Sequence, residues 1–197
     1  MPVSLHNQPQ DHTDTPRVAF QGILGAFSEL AIHQHWPRGA TPIPNQYFED
    51  ALHCVLTGSA QFAVIPIENA IAGVVYDAVT ALDFLRDDLH QHAELEILVQ
   101  LCLMALPGVT IADLRTVRTH PMALGQCRIF CAQHPWFQAE PHDDTAGAAR
   151  EVASLGDRTL GAIASEAAAR HYGLEILAHS IQDVPANWTR FVVVSKR

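Results

Sequence analysis

The chain has 197 residues, 48% of them apolar, and carries a net charge of −9 with only 12 Lys and Arg. That apolar share supports a packed core and excludes a disordered chain. The acidic balance, with no basic run, excludes nucleic acid and anionic membranes as partners. The most apolar stretch, "LEILVQLCLMAL", is interrupted by Gln100 and too short to span a membrane.

Residues 1–16 are polar, lack a secretory h-region and read as a flexible tail. "RVAFQG" is a strand entering a Gly turn, and "FSELAIHQHW" a helix capped by Ser28. "YFEDALHCVLTG" is a second helix, with Phe48, Leu52, Val55 and Leu56 on one face. "QFAVIPIE" is a buried strand ending at a Pro-containing turn. "NAIAGVVYDAVTALDFL" is a helix with Asn69 as cap, and "LEILVQLCLMAL" a strand or strand pair. Thr110 caps a short helix, "RTVRTH" is a strand, and "PMALGQCRIFCAQH" is a helix with Pro121 in its first turn. Strand "FQAEPH", helix "DTAGAAREVASLG", strand "TLGAIAS", helix "EAAARHYG" and strands "LEILA" and "TRFVVV" complete the chain.

This alternation predicts an α/β fold with mainly parallel sheet and strand ends that feed directly into capped helices. The four Cys lie in apolar surroundings without disulfide-like spacing, which predicts reduced thiols in a cytoplasmic protein. Cys127, Cys131 and His134 share one helix face, where core packing is simpler than a metal site. No dinucleotide fingerprint, Walker motif or serine elbow is present.

Five stretches place polar residues at strand ends or helix starts: "GILGAFSE", "PIENAIAGV", "THPMALGQC", "DDTAGAA" and "NWTRF". In this order and spacing they resemble the prephenate dehydratase catalytic domain over about residues 17–195. That family shows Gly-Pro-x-Gly-Thr-Phe/Tyr-Ser, Pro-x-Glu-Asn-Ser-x-x-Gly, Ser-His-Pro-Gln-Ala-Leu-x-Gln-Cys, Ser-Thr-Ala-x-Ala-Ala and Asn-x-Thr-Arg-Phe.

The resemblance implies two lobes around a cleft, like type II periplasmic binding proteins. Lobe 1 is expected near 17–79 and 172–197, and lobe 2 near 80–171. It implies decarboxylating dehydration of prephenate to phenylpyruvate, without metal or organic cofactor, by a cytoplasmic homodimer. Because the sequence stops at Arg197, no phenylalanine-sensing ACT domain is expected.

The resemblance places Thr189 as the donor to the leaving hydroxyl, with Phe191, Glu68 and Asn69 as further catalytic candidates. Strand alternation turns Thr189 and Phe191 to the cleft and Arg190 to the opposite face, where it pairs with an acidic residue. Glu68 is either a general base or a helix cap. Substrate contacts are expected from Gly25, Ala26, Phe27 and Ser28 in the first motif and Pro66, Ala70 and Gly73 in the second. The third contributes Thr119, His120, Met122 and Leu124, and the last two contribute Thr145, Ala146, Asn187 and Arg190.

The chain departs from the family pattern at Ile23, Ala26, Ala70, Val74 and Met122. Several hydroxyls are thereby missing, and each lost hydrogen bond to a charged group costs about 1.5–3 kcal/mol. Arogenate, which differs from prephenate only by an amino in place of a keto group, is an alternative substrate. A non-aromatising prephenate decarboxylase and a non-catalytic carboxylate-binding protein are the other readings of the same pattern.

Overall fold

In the computed structural model, which describes residues 15–197, Val18, Ala19 and Phe20 are fully buried in β1 (Arg17–Gln21). The tail expected over 1–16 lies almost wholly outside the described residues. α1 (Phe27–His35) leads to β2 (Thr41–Asn45), a strand with two prolines that the sequence reading missed. Proline cannot donate to a ladder, and β2 tolerates Pro42 and Pro44 because, among the described residues, it is an edge strand paired only with β1. α2 (Phe48–Thr57) and β3 (Phe62–Asn69) follow.

Beyond β3 the structure departs from the single helix expected over 69–85. Asn69 is the last residue of β3, a tight turn leads to β4 (Gly73–Val74), and α3 covers only Tyr76–Phe84. Pro66 is not at a turn but inside β3, opposite Phe191, where the pairing with β11 (Trp188–Lys196) shifts by one residue.

β5 (Leu89–Leu98) and β6 (Cys102–Ala105) are separate strands in different sheets. Thr110 precedes a 3-10 turn, Ile111–Asp113, and both its N–H and its hydroxyl donate to Asp113 Oδ2. β7 (Thr116–Thr119) leads into α4 (Pro121–Gln126) and α5 (Arg128–Ala132). The helix expected over 121–134 is thus broken at Cys127, where Asp183 accepts the freed N–H groups of Arg128 and Ile129. β8 (Gln138–Pro141), α6 (Thr145–Leu155), β9 (Leu160–Ala164), α7 (Glu166–Tyr172) and β10 (Glu175–Ala178) complete the second half.

The strands form two sheets. One runs β2-β1-β3-β11-β5, with β4 beside β3; the other runs β10-β6-β9-β7-β8. Both are mixed, which corrects the expectation of mainly parallel sheet. β1–β2, β1–β3, β7–β8 and β7–β9 are parallel, whereas β11 and β6 pair antiparallel with both of their neighbours. Parallel pairs need a crossover, and these strands adjoin the direct links 99–101 and 179–187 between the lobes. β5 pairs along β11 and β10 pairs with β6, so the first sheet holds strands from 17–98 and 188–196 and the second holds strands from 102–178. The lobe boundaries expected at 79/80 and 171/172 move accordingly.

The central strands of each sheet are buried on both faces. Along β11, Val192 and Val194 pack under α2 and α3, while Phe191 and Val193 pack toward α1 with Phe20 and Ile32. In β6, Leu103 and Ala105 face the α4–α5 side and Cys102 and Met104 the α6–α7 side. Fully burying side chains of this size stabilises by about 1.5–3 kcal/mol each.

All four thiols are free. Burial pushes the Cys127 thiol up to about 12 and also raises those of Cys131 and Cys102. A raised thiol stays protonated and unreactive at pH 8. In native protein at that pH, an aromatic disulfide reagent should therefore modify Cys54 first and spare Cys127 until denaturant is added. Rapid native modification of Cys127, located by peptide mass, would contradict its burial.

Candidate active site

Asn69 at the end of β3 pairs with Thr189 near the start of β11. The Asn69 side-chain oxygen accepts the N–H groups of Ile71 at 3.0 Å and Ala72 at 2.9 Å. This Asx turn fixes which end of the amide points where. Its Nδ2 then donates to Thr189 Oγ1 and the Trp188 carbonyl, both at 2.9 Å, and to Asn187 Oδ1 at 3.0 Å. Because Thr189 Oγ1 accepts from Asn69, its own proton is left to point elsewhere, and Thr189 borders a cavity of about 400 Å3.

The same polarity continues across the lobes. Asn187 is 0% exposed and has committed its oxygen to Asn69, so its Nδ2 donates to Gln126 Oε1 at 2.9 Å. Gln126 is thereby turned with its own NH2 free of protein acceptors among the described residues, and it lines the cavity. Two donors, Thr189 O–H and the Gln126 amide, are thus set by one chain of amides. Gln126 was absent from the residues singled out in the sequence, although it lies within the third motif.

Further polar wall comes from helix starts. His120 is the N-cap of α4, and its Nδ1 accepts the Met122 N–H at 3.2 Å, which leaves Nε2 as the ring's donor. Thr145 is the first residue of α6, behind its N-cap Asp144, which accepts the Gly147 N–H. Apolar wall comes from Phe27, Val75, Val99 and Leu101. Asp143 and Asp144 also line the cavity, a pair of carboxylates that sequence reasoning did not select. Among the described residues, no Lys or Arg lines it.

Of the residues expected from sequence, Thr189, Asn69, Phe27, His120, Met122, Thr145 and Asn187 border this cavity. Others do not. Phe191 does share the Thr189 face, but it stands two residues further along β11, about 7 Å, and is 1% exposed in the core. Glu68 neither caps a helix nor lines the cavity. It pairs with Arg190 at 3.0 Å, and Glu96 holds the same guanidinium at 3.0 Å. Arg190 is therefore held by two carboxylates and stacks over Trp188 at 5.0 Å.

Thr119 is 0% exposed and donates its hydroxyl to the Ile163 carbonyl, so it serves the second sheet. Gly25 packs against α7, and its carbonyl accepts Ser165 Oγ at 2.6 Å. Ala26, not Ser28, is the N-cap of α1, and it makes no side-chain bond. Ser28 and Ala146 are buried in their helices, Pro66 lies within β3 and Leu124 lies within α4. Ala70 uses its N–H on the Trp188 carbonyl, and Gly73 closes the turn by pairing with Asn69. These residues build the scaffold around the cavity rather than its wall.

Three comparisons bear on this geometry. The family model for prephenate dehydratase matches residues 18–197. Arogenate dehydratase 1 of Petunia hybrida is 42% identical over 186 residues, covering 94% of this chain and 43% of its own length. The solved structure described as "GqqA- a novel type of quorum quenching acylases" superimposes with a TM-score of 0.84 at 39% identity, over 92% of this chain and 64% of that one. Prephenate dehydratase from Arthrobacter aurescens, solved in complex with L-Phe, gives a TM-score of 0.80 at 33% identity, over 92% and 60%. The chain thus spans less than half of the curated relative and under two thirds of either solved structure. No helix among the described residues is long and apolar enough to cross a membrane.

Proposed function

The chain belongs to the prephenate dehydratase family, and from that premise we propose that it catalyses the decarboxylating dehydration of prephenate, a carbon–oxygen lyase reaction yielding phenylpyruvate. The observation that carries this is the Asn69–Thr189 pair, which presents a hydroxyl donor at the wall of a lobe–lobe cavity. In the reaction the bond from the ring to its carboxylate breaks and carbon dioxide leaves. The released electron pair moves through the ring and expels the hydroxyl from the opposite carbon. That oxygen departs with growing negative charge and becomes water on taking a proton.

Thr189 donates a hydrogen bond to the departing oxygen, and Asn69 holds Thr189 in the orientation that leaves its proton free. Threonine is a weak acid, so the effect comes from a preorganised hydrogen-bond donor. Phe27, Val75, Val99 and Leu101 supply the apolar surface for the ring. His120 Nε2, the Gln126 amide and the start of α6 at Thr145 offer donors to carboxylate oxygens.

The same proposal takes the working form to be a homodimer in the cytoplasm. The family resemblance supports the first part, and four unpaired thiols favour a reducing compartment. An acylase reading, suggested by the GqqA description, needs a nucleophile with an adjacent base. Among the described residues, the only side-chain bond of Thr189 is to the Asn69 amide, which is no base.

Incubation with prephenate, followed by ultraviolet absorbance and mass, tests the proposal. Phenylpyruvate is the expected product. A dihydro product that keeps the ring hydroxyl would instead indicate a non-aromatising decarboxylase, and binding without turnover would indicate a carboxylate-binding protein.

A further inference from the structure

We propose that Asn187 is a positioning residue, which carries an amide polarity set in the first lobe across to Gln126 in the second. Gln126 then meets a substrate carboxylate with its NH2 and not with its oxygen. The inference rests on the dehydratase reading above and concerns how one wall of that site is held in its working orientation. It replaces the direct substrate contact expected of Asn187 from sequence. Asn187 borders the cavity, but it is 0% exposed and both ends of its amide are committed, so it acts through its neighbours.

A primary amide turned over by half a rotation keeps its shape and exchanges donor for acceptor. With no Lys or Arg on the cavity wall among the described residues, that exchange matters for an anionic ligand. The direction is imposed from the backbone. The N–H groups of Ile71 and Ala72 can only donate, and both go to Asn69 Oδ1. Asn69 Nδ2 therefore faces Asn187, which must accept with Oδ1 and donate with Nδ2 to Gln126 Oε1. A reversed Gln126 would set two donors against each other at 2.9 Å.

The main chain at both residues is already fixed. The Asn187 carbonyl accepts the Val99 N–H at 2.8 Å, which ties together the two links between the lobes. The Gln126 carbonyl accepts the Asp183 N–H at 2.6 Å. The Gln126 side-chain amide is left as the part able to turn, and among the described residues Asn187 is its only hydrogen-bonding partner.

Asn187→Asp tests the relay with almost no change of shape. The introduced carboxylate still accepts from Asn69, so the Thr189 arm is kept. It offers no proton to Gln126, so the Gln126 amide turns its NH2 inward and its oxygen to the cavity. KM for prephenate should rise by about tenfold to a hundredfold, the usual effect of losing a hydrogen bond to a charged group, while kcat changes little. Gln126→Met should raise KM similarly, and adding Asn187→Asp to it should cost little more, because both variants remove the same contact. A fall in kcat at unchanged KM, or fully additive effects of the two substitutions, would overturn the inference.

Side-chain amide hydrogen exchange, followed by NMR, reads the polarity without any turnover. In wild type the Asn187 NH2 should exchange slowly and the Gln126 NH2 rapidly. In Asn187→Asp the Gln126 NH2 should become protected. A Gln126 NH2 already protected in wild type, or unchanged in the variant, would overturn the relay; the wild-type pattern alone decides if the variant does not fold. If wild type converts no prephenate, the dehydratase reading fails, and the exchange pattern still judges the relay.

Discussion

Thr189→Ala is expected to lower kcat by about 10²–10⁴-fold, the usual range for losing one positioned proton donor. KM should change little, because the bond to the departing oxygen strengthens only as that oxygen gains charge. The fold should survive. When Thr189 Oγ1 is removed, Asn69 Nδ2 still has the Trp188 carbonyl and Asn187 Oδ1 as acceptors, so no buried donor is orphaned. Thr189→Ser keeps the hydroxyl and should recover most of the rate. Thr189→Val keeps the shape without the hydroxyl and should resemble Ala. Full activity in either Ala or Val, at unchanged Tm, would remove Thr189 from the mechanism.

The sequence made this end of the site legible because its signals are local. "FVVV" alternates over both faces of a central strand, and "NWTRF" precedes it directly, so the polar residues had to stand at the sheet end. Ser165 and Asp144 stand directly before α7 and α6 as N-caps, and both accept an N–H of their helix. What stayed hidden depends on partners distant in sequence. Asn69 looks like a helix cap, and only the turn through Gly73 and the pairing to Thr189 reveal its use in fixing a hydroxyl.

Phe191 follows the alternation correctly, yet the cavity ends before reaching it. The break at Cys127 depends on Asp183, 55 residues from Arg128. Gln126 acquires a direction only through Asn187, 61 residues away. Asp143 and Asp144 carry no signal beyond helix capping until the second lobe is folded against the first.

Gly25→Val is expected to destabilise the protein by about 2–6 kcal/mol in denaturant unfolding. Gly25 has φ +90, and a Cβ there would lie 2.8 Å from the Ala168 Cα and 2.9 Å from its Cβ. Neither atom is the free end of a flexible side chain, so α7 itself must shift. Left-handed strain at a non-Gly residue costs about 1–3 kcal/mol, and overpacking adds about 1–3 kcal/mol. Gly58→Ala is the control: φ is +79, but nothing lies within 4 Å of the new Cβ, so only the strain is expected.

The effect of Gly25→Val should also reach the site. Ser165 Oγ donates to the Gly25 carbonyl at 2.6 Å, and Tyr172 Oη donates to the Leu24 carbonyl at 2.7 Å. These bonds fasten a loop of the first lobe to a helix of the second, directly before Phe27 on the cavity wall. Pushing α7 away loosens both bonds and widens the cavity, so KM should rise along with the loss of stability. Gly58→Ala, remote from the lobe contact, should leave KM unchanged. A Gly25→Val protein as stable as Gly58→Ala would show that the loop and α7 do not meet as closely as this geometry requires.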